Sequence, residues 1–240
     1  MTGTNRRLLS VLYPGTCVCC GAPADPDLLV CTRCGERFFR ITPPVCRYCG
    51  VSLDDCRCSK KPHAYEAVAA PYYYEAACRD AILGMKYGNR EDAAIPLARA
   101  MNQTLHAQYF GIPFDIITCV PMTREGKAKR GYNQAASLAR RIRTETIRQP
   151  DFDPNLLKKQ STERAQHKLG AEGRKKNIFG AIRLNRGRDV TGKTILLIDD
   201  IVTTGATANE CATILRLEGA KAVYVLTAAI TRYNKKSFTK

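Results

Sequence analysis

Nine of the twelve cysteines in this 240-residue chain fall within the first 58 positions, and the other three, Cys78, Cys119 and Cys211, stand alone in later segments. That asymmetry divides the chain into a small cysteine-rich module over 1–62 and a larger unit over 63–240. Cys17 and Cys20 form C-x2-C, Cys31 and Cys34 a second, Cys46 and Cys49 a third, and Cys56 with Cys58 a tighter C-x-C.

Pairs at this spacing suit zinc, because a C-x2-C turn aims two thiolates at one tetrahedral ion and two such pairs complete a closed four-sulfur site. A disulfide framework is the competing reading. It needs an oxidising compartment, and nothing in the sequence directs export. One site is expected from Cys17, Cys20, Cys31 and Cys34, and a second from Cys46, Cys49, Cys56 and Cys58. An interleaved, cross-braced pairing uses the same eight residues and stays open. Cys19 is then a spare thiol that could trade places with Cys20. Gly21, Gly35 and Gly50 directly follow three of the pairs, where glycine admits the positive φ of a tight turn and lets backbone N–H groups approach sulfur. A closed four-cysteine site leaves no open coordination position, so this zinc is structural. His63 is read as a linker residue.

Composition bounds the rest. At 45% hydrophobic and 25% charged residues the chain is globular, which excludes a disordered tail, a fibre or a membrane-embedded chain. The apolar run at 8–12, in an expected N-terminal helix, is far shorter than the ~20 residues of a spanning helix, and no secretory cleavage region follows it. A soluble, cytoplasmic protein is expected. From position 65 onward strand-like and helix-like segments alternate: 68–74 β-rich, 78–86 and 95–108 helical, 116–120 a strand, 134–148 a helix, 194–198 a strand, 206–217 a helix and 222–230 a strand. This order predicts an α/β domain with a mostly parallel sheet and a site at the carboxyl ends of its strands.

Gly187, Gly192, Lys193 and Thr194 fit the G-x-x-x-x-G-K-[ST] pattern, but a phosphate loop must run from a strand into a helix. Here an apolar strand follows, so these residues are read as the turn leading into it. That strand ends in Asp199 and Asp200, followed by Ile201, Val202, Thr203, Thr204, Gly205, Ala206 and Thr207 and then a helix. Adjacent carboxylates at the end of an apolar strand cost desolvation and mutual repulsion, which argues against a purely structural role. The threonine hydroxyls, Gly205 and a helix N-terminus make an anion cradle. Together they describe a pocket for a ribose 5-phosphate.

The run 195–207 resembles the 5-phosphoribosyl 1-pyrophosphate signature of type I phosphoribosyltransferases. Arg130-Gly131-Tyr132-Asn133-Gln134, with Gln166, Leu169, Arg174, Asn177, Phe179 and the cysteine-rich front, is similar to the ComF family, associated with bacterial competence and DNA uptake. The resemblance implies a type I phosphoribosyltransferase-like sheet preceded by a zinc module. It implies that Asp199 and Asp200 hold the ribose hydroxyls and that Thr203, Thr204, Gly205, Ala206 and Thr207 hold the 5-phosphate. Pro121, Met122 and Thr123 would form a pyrophosphate loop, with Lys86, Arg124, Lys127, Lys129 and Arg130 as candidates to neutralise it. The reaction implied is displacement of pyrophosphate from the anomeric carbon with Mg2+ bridging that group, under a hood formed by 160–180. No base-recognition element is legible, so a ligand sensor without turnover is the alternative reading.

The formal net charge is +16, which points to an anionic partner. Residues 121–188 hold eighteen Lys and Arg against six Asp and Glu, and so twelve of the sixteen excess charges. A sugar carrying a phosphate and a pyrophosphate needs only a few of these. The surplus suits a polyanion such as single-stranded DNA, with competence-machinery proteins as further expected partners. Aromatic stacking platforms in the span are thin, with only Tyr132, Phe152 and Phe179.

Overall fold

The computed structural model describes residues 15–59, 62–88, 90–145, 150–160 and 181–232. The expected N-terminal helix around 8–12 and residues 161–180 of the expected hood, with Gln166, Leu169, Arg174, Asn177 and Phe179, lie outside the described residues. The chain opens with a short antiparallel ribbon, β1 (Gly15–Thr16) and β2 (Pro23–Ala24), and one helical turn, α1 (Thr32–Gly35). The elements that follow are β3 (Ala67–Ala69), β4 (Tyr72–Tyr73), α2 (Ala76–Tyr87), α3 (Ala94–Gln108), β5 (Ile116–Cys119), α4 (Arg124–Arg130) and α5 (Gln134–Glu145). Then come β6 (Asp151–Phe152), β7 (Leu157–Lys159), β8 (Ile182–Leu184), β9 (Thr194–Val202), α6 (Ala206–Leu217) and β10 (Ala222–Ile230).

Six strands form one sheet in the order β3, β10, β9, β5, β6, with β4 also lying along β10, and every pair is parallel. Parallel neighbours require crossovers that cover both faces, which is why β9 is almost continuously apolar. Its alternate side chains separate into two cores. Leu196 and Ile198 belong to one with Leu97, Met101, Leu138 and Ile142; Ile195 and Leu197 belong to the other with Cys211, Ala212 and Leu215. The layers are thus α3 and α5 on one face and α6 on the other.

The helix at 206–217 and the strand at 222–230 have the bounds read from the sequence. The strand expected at 194–198 runs on to Val202, because β10 continues beside it and supplies ladder partners, Thr227 opposite Asp199 and Ala229 opposite Ile201. The two acids therefore sit inside the strand, three and two residues before it ends at Val202. α4 and β7 were not legible, whereas β8 falls in the stretch 180–187 that reads as a weak strand. α4 starts because Thr123 caps it, its Oγ1 accepting from Gly126 N at 3.0 Å. The G-x-x-x-x-G-K-[ST] residues make a turn into β9, with Gly187 and Gly192 at φ +75° and +70°.

The cysteine-rich module is built into the same cores. Val18 belongs to the α3–α5 side, and Ile41 and Val51 to the α6 side. Main-chain bonds join it to β3 and β4: Ile41 N to Pro71 O at 3.0 Å, Tyr73 N to Phe39 O at 2.9 Å, and Val68 N to Arg47 O at 3.1 Å. Among the described residues no helix is long and apolar enough to cross a membrane.

Candidate functional site

The eight cysteines gather as two sequential groups, Cys17 with Cys20, Cys31 and Cys34, and Cys46 with Cys49, Cys56 and Cys58. Within each, all Sγ atoms lie inside 4.8 Å of one another. The cross-braced alternative is thereby removed. Cys20 and Cys31 are 3.8 Å apart, Cys46 and Cys58 3.8 Å, Cys49 and Cys56 3.7 Å, and Cys56 and Cys58 3.5 Å. Four sulfurs at the ~2.3 Å zinc–sulfur distance stand about 3.8 Å apart along each edge of a tetrahedron, so the donors fit the ion. Burial opposes ionisation of Cys17, but the backbone N–H groups of residues 31, 20 and 19 outweigh it and bring the thiol down to about 6. Cys46 is likewise buried, yet the amides of residues 49 and 48 bring it to about 7. In each group the amides thus ease one thiol toward the thiolate form that zinc takes up, while burial holds Cys34 and Cys49 upward. Cys19 stands outside the group, pushed up by burial to about 12. Gly21 and Gly50 take φ of +76° and +74°, whereas Gly35 ends a helical turn and has no positive φ. His63 joins neither group and stacks on Tyr65, ring centroids 4.6 Å apart.

The second assembly lies at the carboxyl ends of β5 and β9. A cavity of about 370 Å³ is lined by Lys86, Asp199, Asp200, Arg130, Lys159 and Thr207, together with Pro121, Met122 and Thr123. β9 delivers both acids, the β5–α4 connection delivers 121–123, and α2 brings Lys86 in from its last turn. Lys86 Nζ lies 2.6 Å from Asp200 Oδ2, with both side chains largely buried. Asp199 Oδ1 accepts from Asp200 N at 2.8 Å. Burial first, then the neighbouring charge of Asp200, holds the Asp199 carboxyl well above the usual carboxylate range, with Lys86 opposing the shift. Burial, then Asp199 and Asp153, pushes the Cys119 thiol beneath it up to about 12, so it stays a neutral filler. Arg130 is steadied by the ring of Tyr87, its Cζ 5.7 Å from the centroid.

Of the residues singled out from the sequence, Lys86, Pro121, Met122, Thr123, Arg130, Asp199, Asp200 and Thr207 therefore share one cavity. Thr203, Thr204, Gly205 and Ala206 do not line it. Thr203 and Thr204 are exposed, while Gly205 is buried at φ +76° as the N-cap of α6. Three polar side chains in its lining were missed as site residues. Asn133 spans the pocket wall, Nδ2 donating to Val120 O at 3.0 Å and Oδ1 accepting from Ala135 N at 3.0 Å. Gln134 is buried, donates to Met85 O at 3.3 Å and keeps an Oε1 with no partner among the described residues, an acceptor left for a ligand or water. Lys159 enters the cavity lining from β7, an element with no sequence signal. Only the first two could have been found, since both stand in the motif at 130–134.

A wider basin of about 1530 Å³ opens beside the first across Pro121, Met122, Asn133 and Lys159, and Arg124, Lys127, Arg140 and Lys158 add positive charge to it. The arrangement can hold vicinal hydroxyls or a hard cation on the acids and neutralise a polyanion around them.

Residues 8–81 match the double zinc ribbon domain and residues 91–239 the phosphoribosyl transferase domain. The chain is 30% identical over 222 residues to DNA utilization protein YhgH of Escherichia coli K12, which spans 88% of this chain and 95% of that protein. It is 26% identical to competence protein F of Haemophilus influenzae, over 82% of this chain and 88% of that one. It is also 26% identical to competence protein ComFC of Bacillus subtilis, over 86% and 85%.

Proposed function

Since the chain belongs to the phosphoribosyl transferase family, with a double zinc ribbon ahead of the transferase domain, we propose that it binds 5-phosphoribosyl 1-pyrophosphate at the Asp199–Asp200 cavity and acts in DNA utilisation. The observation that carries the ligand is the pairing of two adjacent, differently held carboxyls with Lys86, Arg130 and Lys159 in one small cavity. Asp200, balanced by Lys86, accepts from one ribose hydroxyl, and Asp199, whose burial favours its protonated form, meets the next; unlike surroundings give the two acids unlike roles. Arg130 and the 121–123 loop bind and orient the pyrophosphate, and Thr207 with the α6 N-terminus takes the 5-phosphate. The Asp200 carboxylate is the hard oxygen donor in the cavity that would suit Mg2+, which when bound would supply charge neutralisation of the leaving pyrophosphate. Transfer to an acceptor nucleophile is the enzymatic form of this reading. The DNA role rests on the names of the three relatives and on the basic basin, which a single-stranded polyanion would occupy.

The test is a ligand screen by thermal shift with pyrophosphate release as second readout. At 100-fold excess over Kd a ligand raises stability by about 2.7 kcal/mol. 5-Phosphoribosyl 1-pyrophosphate should do so with Mg2+, and the double variant Asp199→Asn, Asp200→Asn should lose the effect. Binding without pyrophosphate release for any acceptor leaves a sensor; no shift at all ends the reading. Single-stranded DNA affinity should fall steeply with salt, and salt-independent affinity would remove the basin's role.

A further inference from the structure

The Cys46-to-Cys49 turn presents two carbonyls to the transferase domain. Arg47 O accepts from Val68 N at 3.1 Å, at the start of the sheet edge. Tyr48 O accepts from the Tyr65 hydroxyl at 3.2 Å. That hydroxyl also faces the loop between β9 and α6: a Cβ placed on Gly205 would stand 3.1 Å from it, a tight approach at a position whose φ of +76° already favours glycine. Next to Tyr65, Ala64 N donates to Asn209 Oδ1 at 2.8 Å, and Asn209 N in turn bonds Gly205 O at 2.8 Å. Two consecutive residues thus meet the first turn of α6, Ala64 through a hydrogen bond to Asn209 and Tyr65 through the close packing of its hydroxyl against Gly205, and Tyr65 is fixed at its far side to the carbonyl between two zinc ligands. Gly50 closes the same turn so tightly that a Cβ would meet Ile230 Cδ1 at 2.4 Å and Val68 O at 3.0 Å, leaving no slack between the cysteine group and the sheet. The Cys17–Cys34 group has no such connection among the described residues; its hydrogen-bonded ties run to the α2–α3 connection through Arg90 and to α3 through Arg99.

We propose that the second zinc group positions the turn at 203–207 through Tyr65, so that zinc at Cys46, Cys49, Cys56 and Cys58 and an anion at that turn stabilise one another. Tyr65 acts here as a positioning residue. The ligand in this inference comes from the proposed function; the chain of contacts does not depend on it. Such coupling must be reciprocal: whatever orders the turn slows zinc loss from the second group, and loss of that zinc loosens the turn.

Amide hydrogen exchange of the zinc-loaded full chain tests the link without any ligand. In Tyr65→Phe, peptides covering 203–207 should exchange about fivefold faster, the order expected for one net hydrogen bond, while α3 is unchanged. Tyr109→Phe is the control, since it deletes a buried hydroxyl-to-carbonyl bond of the same kind, to Val225 O at 2.8 Å, in the core on the other face of the sheet. It should leave 203–207 as in the unaltered chain. Zinc release to a chelating dye, with and without 5-phosphoribosyl 1-pyrophosphate, gives the reciprocal measurement. The ligand should slow release of one zinc of two by about fivefold, again the value of one net hydrogen bond, and that protection should shrink in Tyr65→Phe. Unchanged exchange at 203–207 in Tyr65→Phe, or equal acceleration by Tyr109→Phe, overturns the link. If the exchange result holds but no thermal shift accompanies the ligand, the link stands and the sugar-phosphate reading falls. If the ligand binds and neither zinc responds to it, the reading stands and the link falls.

Discussion

The two cysteine groups share ligands, spacing and tetrahedral geometry, yet they are attached to the rest of the molecule in different ways. The first is held by long side chains: Arg90 donates to Cys17 O and Val18 O at 3.1 and 3.3 Å, and Arg99 to Asp27 O at 3.1 Å. The second is held by main chain and by aromatic hydroxyls, with Arg47 O on Val68 N, Tyr48 O on Tyr65, and Tyr73 donating to Asp55 at 2.5 Å while accepting from Ser52 N at 3.3 Å. A guanidinium tether can re-aim when its target shifts, whereas a backbone ladder cannot without breaking. Identical metal chemistry can therefore serve as a local clip in one place and as part of the site's framework in another.

The largest test of this difference removes one ligand from each group. Cys17→Ser and Cys46→Ser should each lower the zinc content from two ions per chain to one. Structural zinc is worth about 10–16 kcal/mol to an isolated finger, and how much of that a domain loses depends on what else holds the turn. Cys46→Ser should drop Tm by roughly 10 °C or more and weaken the sugar-phosphate ligand, while Cys17→Ser should cost about half as much and leave ligand affinity intact. Equal losses, or equal effects on ligand binding, would erase the contrast.

A finer test uses the glycines that follow the two knuckles, Gly21 and Gly50, which share a φ near +75°. Alanine at either position carries the cost of a left-handed residue, about 1 kcal/mol. At Gly21 the neighbour met by a new Cβ is the far end of Arg90, 3.3 Å away and free to swing. At Gly50 it is the Val68 carbonyl and a core isoleucine methyl. Gly50→Ala should therefore destabilise by about 3 kcal/mol, against about 1 kcal/mol for Gly21→Ala, in denaturant unfolding. A Gly50→Ala protein as stable as Gly21→Ala would mean that the second group has the slack denied to it above.

How much of this was legible follows the same division. Spacing within 58 residues gave the eight cysteines and one of their two pairings, because a metal site made of local turns is a local signal. The acids, the loop at 121–123 and Lys86 were legible because their residue types are costly in an apolar strand or belong to motifs. What escaped depended on distant partners. β9 ran on past Ile198 because β10 ran beside it, Lys159 entered the cavity on a strand whose mate is β8, and Tyr65 and Asn209 look like an ordinary linker and helix residue until the fold brings Tyr48 and Gly205 to them. Gly35 shows the opposite limit: the knuckle pattern called for a left-handed glycine, and the helical turn that starts at Thr32 took it instead.

Asp199 and Asp200 repeat the contrast on the smallest scale, two identical groups one residue apart with different supports. Asp200 has Lys86 at 2.6 Å; Asp199 has an amide and the interior. Burial and then the charge of Asp200 raise the Asp199 carboxyl well above its ordinary value in the folded state. A folded chain that keeps this proton more tightly than the unfolded chain gains its full stability below the unfolded pKa, about 4, and loses it as pH rises through the folded value. Replacing Asp199 by Asn keeps the Oδ1 that accepts from Asp200 N and removes the ionisation. Asp199→Asn without ligand should accordingly match the unaltered chain at low pH and exceed it as pH rises, by roughly 2–4 °C in Tm, whereas Lys86→Met should lower Tm at neutral pH by leaving the Asp200 carboxylate buried without its cation. Parallel pH curves for the Asp199→Asn protein and the unaltered chain would show that the two acids are supported alike, and the unlike roles proposed for them would have no basis.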